Sequence, residues 1–158
     1  FENIELTNNR DTSMKYIFAT ILSIFLIVNP VFSHKFSFNN IFVGHPHIKI
    51  NNGFVKGYLT IYNKSKTNIY LTGIKTNFAD GFELHKDELI NNNLEMKVLK
   101  NIAIPANKEV SFKNSNLHIM FSEYDRTLEW FETHKAILIF NNNIELAIEF
   151  DVDYENLN

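Results

Sequence analysis

Cysteine is absent from the chain, and its absence excludes several classes of function at once. Without thiols there can be no disulfide framework, no thiolate zinc site and no cysteine nucleophile. An exported domain of this size does not need disulfides if its hydrophobic core is adequate. A metal site in this chain would therefore have to use other donors.

An excess of positive charge is also missing. The chain has 15 Lys and Arg against 18 Asp and Glu, for a formal net charge of −3. Proteins that bind nucleic acid usually present a basic face, so we expect no nucleic-acid partner. No Ser/His/Asp arrangement, glycine-rich phosphate loop or paired-carboxylate motif stands out, and we expect that the protein is not an enzyme.

Long apolar segments are limited to one run, from Tyr16 to Val28. It follows Lys15 and leads to Ser33, which is the layout of a secretory signal: a basic start, roughly 7–15 apolar residues and small residues at the cleavage site. The run is shorter than the ~20 apolar residues of a membrane-spanning helix. We predict an upstream extension or remnant (1–13), a signal peptide (14–33) and one domain (34–158), exported to the periplasm or anchored to the membrane if the signal is not cleaved.

The exported region shows no long helical periodicity. It consists of short strand-like runs separated by Asn, Gly and Lys. Residues 136–140 and 144–150 are apolar-rich segments on either side of Asn141–Asn143, which is a strong hairpin signal. Seven or more short strands with regular turns predict an all-β sandwich or barrel. We expect the acidic tail from Asp151 to be frayed.

Methionine is scarce, and its placement is informative. Of three methionines, Met14 should leave with the signal, so the domain keeps only Met96 and Met120. If the segment around Met120 is a strand, His118 lies on the same face, because residues i and i+2 of a strand point the same way, roughly 6–7 Å apart. This places one imidazole beside one thioether.

A second His and Met flank an Asn triplet that marks a turn. A hairpin centred between Ile90 and Asn91 would place His85 directly opposite Met96 on one face, although a one-residue slip would break that register. Two imidazoles and two thioethers form a soft, neutral ligand set that suits Cu(I), whereas zinc rarely takes thioethers and calcium and magnesium prefer oxygen. Taken singly, each of these residues is more often structural than a ligand. The predicted metal ligands are His85, Met96, His118 and Met120.

The spacing of these four residues is specific. His85, ten residues, Met96, twenty-one residues, His118, one residue and Met120 match the His-x10-Met-x21-His-x-Met motif of the periplasmic copper chaperones of the PCuAC type. The flanking segments resemble that family as well: Gly57–Lys64, Phe82–His85 and Ile104–Met120. The resemblance extends from about Gly53 to Val152, most of the exported region.

The resemblance implies a cupredoxin-like Greek-key β-barrel or sandwich that holds Cu(I) at a shallow, exposed site. Family members deliver copper by ligand exchange to the CuA centre of cytochrome c oxidase or to Sco-type copper proteins, so these are the expected partners of a monomeric carrier. The chain departs from the family at Lys86, where many members have Met, and at Gly44–Lys49 near the start of the domain. These departures affect partner recognition more than copper binding.

Three other histidines could bind Cu(II). His34 would be the first residue after cleavage, where the terminal amine and imidazole can chelate, and His45 and His47 could share a strand face and form a secondary site. Two alternatives therefore stay open beside the copper carrier: a copper redox enzyme that uses His34, and an exported β-sandwich that binds no metal and serves as a binding or scaffold protein. His134 is interpreted as a surface residue.

Overall fold

A computed structural model describes residues 35–124, 128–129 and 132–154. The predicted extension (1–13), the signal peptide (14–33) and His34 lie outside the described residues. Among the described residues, no helix has the length and hydropathy needed to cross a membrane.

Every long element in the described part of the chain is a β-strand. The eleven strands are β1 (Lys35–Phe38), β2 (Ile41–Asn51), β3 (Phe54–Asn63), β4 (Ile69–Thr76), β5 (Ala79–Ile90), β6 (Asn93–Leu99), β7 (Ile102–Ile104), β8 (Lys108–Ser111), β9 (Leu117–Tyr124), β10 (Thr133–Phe140) and β11 (Ile144–Tyr154). Two 3₁₀ turns, Lys113–Ser115 and Asn141–Asn143, precede β9 and β11. The predicted all-β class is confirmed.

The strands form one continuous hydrogen-bonded path in the order β6-β5-β9-β3-β2-β11-β10-β4-β7, with β1 paired to β2 and β8 paired to β3. Spatial neighbours such as β9 and β3 are distant in sequence, as in a Greek-key fold. The path is open, since β6 and β7 stand at its two ends. The structure is therefore the sandwich form of the predicted cupredoxin-like fold.

The path curves around a single core. Phe121 on β9 lies against Phe150 on β11 with ring centroids 5.9 Å apart, although two strands separate β9 from β11 in the sheet. Phe78, in the β4–β5 connection, packs against Phe121 in a T-shaped arrangement with ring centroids 4.9 Å apart. Contacts between residues that are not sheet neighbours are the mark of two layers that pack face to face. Alternate residues of the strands supply this core, so the other residues of each strand are left on the outer faces.

The β10–β11 hairpin forms as predicted. Ala136 lies opposite Ile148 and Leu138 opposite Leu146, all four buried. The predicted fraying after Asp151 is wrong up to Tyr154, because residues 151–154 pair in parallel with residues 47–50 of β2. The partner strand lies about a hundred residues earlier, so the local sequence gave no sign of this pairing.

Candidate metal centre

Strands β5 and β9 bring two histidines face to face. His85 and His118 are direct partners across the antiparallel ladder. Their ring centroids are 5.2 Å apart and the ring planes cross at 83°. The side chains are buried, with 6% of His85 and 1% of His118 exposed. Two imidazoles at this separation and angle can approach one ion from two directions.

Each ring has one nitrogen that is buried and lacks a hydrogen-bond partner from the described protein: Nδ1 of His85 and Nε2 of His118. The other nitrogen of His85, Nε2, lies 2.8 Å from Oε2 of Glu83. Because an ionised carboxylate can only accept, Nε2 carries the proton and donates it. The lone pair of Nδ1 is then free to bind a metal, which is the usual role of a carboxylate that orients a metal-binding histidine.

Asp87 orients the second histidine less tightly. Its Oδ2 lies 3.6 Å from Nδ1 of His118, an electrostatic contact that is longer than a hydrogen bond. Burial, aided by the positive charge of Lys56, lowers the pKa of His118 to about 4. The ring is therefore neutral near pH 7, and a neutral imidazole is the form that binds metal. Asp87 favours Nδ1 as the protonated nitrogen and leaves Nε2 as the donor.

Met120 lies on the same outer face of β9 as His118, as predicted. It is directly opposite Glu83 on β5 and opposite Lys56 on β3, and its side chain is partly buried. His118 and Met120 are two residues apart along a strand, and Met120 is also the diagonal cross-strand neighbour of His85. Side chains in that diagonal relation are about 7–8 Å apart, within reach of long side chains.

The predicted register of the β5–β6 hairpin is wrong by two residues. Val98 lies opposite His85, and Met96 lies opposite Asp87. The turn is centred on Asn91-Asn92, both with positive φ, rather than one residue earlier. A shift of two residues preserves the face, so Met96 is still on the same side of the sheet as His85.

Met96 and Met120 flank His85 as diagonal neighbours on opposite sides, one on each adjacent strand. Met96 is half exposed, at 51%, on the edge strand β6. The structure thus places all four predicted residues on one face of β6-β5-β9, with the two histidines in direct contact and Met96 at the rim.

This face carries soft thioether donors beside the two imidazoles, and also the carboxylates of Glu83 and Asp87. No group of three or more His, Asp or Glu side chains able to hold a metal ion occurs among the described residues. The two thioethers on this face, together with imidazole, favour Cu(I). Asp87 and Glu83 add negative charge around a site whose ligands are all neutral.

Sequence reasoning missed these two carboxylates. Asp87 was not among the predicted site residues, yet it lies within β5 and faces His118. Glu83 lies two residues before His85, and Asp87 lies two residues after it. A strand that reaches residue 87 places all three side chains on one face, so this arrangement could have been predicted from the sequence. Lys86 points to the other face of β5, where it pairs with Glu88 at 3.0 Å, whereas Lys56 lies on the site's own face.

The other described histidines, His45, His47 and His134, make no direct ring contact with this pair. A register shift between Gly44 and His47 interrupts β2, and His45 has a positive φ of 53°. Nδ1 of His47 donates to the carbonyl of His45 at 3.0 Å, and its ring stacks on Tyr58. His134 is packed against Phe78 with 15% of its side chain exposed, so its interpretation as a surface residue is wrong.

Comparison with known proteins agrees with this architecture. The copper-bound PCuAC domain of PmoF2 superposes with a TM-score of 0.65 at 16% identity, over 77% of this chain and 99% of that domain. The apo PCuAC domain of PmoF1 has a TM-score of 0.64 at 17% identity, over 77% of this chain and 100% of that domain. The Cu(I) form of DR1885 from Deinococcus radiodurans gives 0.57 at 22% identity, over 71% and 76% of the two chains.

These likenesses show a shared cupredoxin-like fold. No curated protein matches the chain by sequence. The family model described as "lipoprotein LpqE-like" matches residues 41–152, which span strands β2 to β11 and contain the whole histidine–methionine face. The chain belongs to the LpqE-like family.

Proposed function

We propose that this protein is a copper chaperone, which carries one Cu(I) ion as cargo on His85, Met96, His118 and Met120. The observation that supports this most directly is the pair of buried, opposed imidazoles with one free nitrogen each. A buried polar atom without a partner is costly, and a bound ion would remove that cost. Structural relatives named as copper-bound and Cu(I)-bound domains share the fold that holds these strands.

The arrangement suits a carrier better than a permanent copper site. The histidines are buried, but Met96 stands at an exposed sheet edge and Met120 is only partly buried. A receiver can therefore displace the thioethers first and take the ion by stepwise ligand exchange. The expected receivers are the CuA centre of cytochrome c oxidase or a Sco-type copper protein, and the expected compartment is the periplasm, reached through the signal-like segment 14–33.

Competition for Cu(I) against a chromogenic chelator tests the proposal. The unmodified protein should retain one equivalent of Cu(I) per chain, and the Met96→Leu/Met120→Leu variant should lose most of its affinity while it keeps its apolar volume. The matched control is His45→Gln, which removes an exposed imidazole on β2 and should retain copper. Undiminished affinity in the double methionine variant would refute the proposed ligand set, and a chain that retains no copper would favour a scaffold role.

X-ray absorption of the Cu(I) form gives a second readout. Sulfur scattering reports thioether ligation directly, so it separates a His-only site from a mixed His and Met site. Mass spectrometry of the exported protein tests the compartment, because cleavage after Ser33 would give a chain that begins at His34.

A further inference from the structure

Strand β6 is an unusual sheet edge. Among the described strands it pairs with β5 alone, so one side of its backbone has no strand partner there. The residues of β6 on the same face as the metal centre are apolar and exposed. The exposed fractions are 72% for Leu94, 51% for Met96 and 59% for Val98. Exposed edges are normally protected by proline, a bulge or charged side chains, and of these β6 has only the charges of Glu95 and Lys97.

The hairpin geometry determines which backbone groups face outward. Asn91 and Asn92 form a two-residue turn with both φ angles positive, so Ile90 and Asn93 form the hydrogen-bonded pair next to it. Hydrogen-bonded and non-hydrogen-bonded pairs alternate along an antiparallel ladder. The N–H and C=O groups of residues 94, 96 and 98 therefore point away from β5, towards the open edge.

We propose that this edge binds a second copy of the chain, with β6 of each copy paired antiparallel about a twofold axis at Met96. In that register Met96 lies opposite Met96 of the second copy, and Leu94 lies opposite Val98 of the second copy. The outward N–H and C=O groups of residues 94, 96 and 98 would then all form hydrogen bonds with the second copy.

Charge selects this register over its neighbours. In the register centred on Met96, Glu95 lies opposite Lys97 of the second copy, and the twofold axis generates this contact twice. A register centred on Glu95 would place the two Glu95 side chains opposite each other, and one centred on Lys97 would do the same for Lys97. Like charges directly opposed are destabilising. Only the register centred on Met96 combines outward hydrogen bonds with opposite charges.

Within one chain, Lys86 and Lys97 both interact favourably with Glu88, but the directly opposed pairs carry like charges. Glu95 lies opposite Glu88, and Lys97 lies opposite Lys86, so each faces a like charge across the hairpin. A second copy supplies the opposite charge on the free side of each. The pairing would also remove apolar edge surface from water, which favours association.

The proposed pairing would also bring the two metal centres close together, and this consequence rests on the proposed function. Met96 of the two copies would be direct cross-strand neighbours, so the two copper sites would lie on either side of the twofold axis. A thioether of one copy is then within reach of the rim of the other site. The pairing itself is tested without copper, so its failure and the failure of copper binding are distinguishable.

Sedimentation equilibrium of the exported chain, with a copper chelator present, tests the proposal. The unmodified chain should dimerise. Glu95→Lys should raise the dissociation constant by roughly tenfold, because two attractive cross-strand pairs become repulsive. Glu95→Lys/Lys97→Glu should restore dimerisation, because the charges are exchanged and the pairing is kept.

A backbone pair of variants gives an independent check. Val98→Pro removes an outward N–H without breaking the ladder to β5 and should abolish the dimer, whereas Val98→Ala keeps the N–H and should retain it. A chain that is monomeric at all accessible concentrations overturns the proposal and supports the monomer expected from the sequence. Failure of the charge exchange to restore association overturns the proposed register.

Discussion

His85 on β5 and His118 on β9 are direct cross-strand partners, thirty-three positions apart in sequence and 5.2 Å apart between ring centroids. Neither residue's immediate neighbours indicate this contact. It exists because β9 inserts between β5 and β3 in the sheet. The pair is the centre of the proposed copper site, and the behaviour of this site can be tested at several levels.

Removal of either imidazole should affect Cu(I) affinity more strongly than removal of one thioether. We expect His118→Asn to lower affinity by more than about 100-fold, because loss of a ligand exceeds the 10–100-fold effect typical of groups that orient ligands. Met96→Leu should have a smaller effect, since Met96 is half exposed at the rim. Chelator competition measures both variants, and equal losses would show that the two residues contribute alike.

The carboxylates that orient the histidines should matter although neither is a predicted ligand. Glu83→Ala removes the acceptor of the 2.8 Å hydrogen bond from His85 Nε2, and we expect Cu(I) affinity to fall about 10–100-fold. Asp87→Asn should act in the same direction through His118. Glu88→Gln is the matched control, because Glu88 is the next residue along β5 and lies on the opposite face. A loss in the control as large as in Asp87→Asn would indicate a general effect of charge.

The stability of the metal-free protein should depend on pH through His118. Burial and Lys56 lower its folded pKa to about 4, below the ordinary value of 6.5 for an unfolded chain. Between these two values the unfolded state binds the proton more readily, so stability is complete above pH 6.5 and is lost as the pH falls towards 4. Urea denaturation over this range should show a shallower pH dependence in His118→Gln. An unchanged dependence would assign the acid sensitivity to other groups.

Gly57 should be a sensitive position for stability. A Cβ at this position would lie 2.8 Å from the ring of buried Phe121, so the ring must shift to accommodate it. We expect Gly57→Ala to destabilise the fold by about 1–3 kcal/mol, the usual range for overpacking. Gly44→Ala is the control, since a Cβ there meets nothing within 4 Å. Denaturant midpoints measure the difference, and equal midpoints would show that the core adapts around Phe121.

The local pattern of the sequence was sufficient to predict the main strands and part of the metal site. Alternating apolar residues predicted the β10–β11 hairpin, and the i, i+2 rule placed His118 and Met120 on one face. The β5–β6 turn was harder, because three consecutive asparagines allow more than one centre. The two-residue error moved Met96 from His85 to Asp87 but kept its face, since strand periodicity is two.

Composition and the periodicity along one strand were enough to predict the strand class, the scarcity of soft donors and the face that His118 and Met120 share. Three further features depend on the fold: His85 lies opposite His118, Glu83 and Asp87 orient the two rings, and Met96 stands on an open edge. Strand order and register join residues far apart in the chain, and they depend on which faces bury best against one core rather than on any local signal.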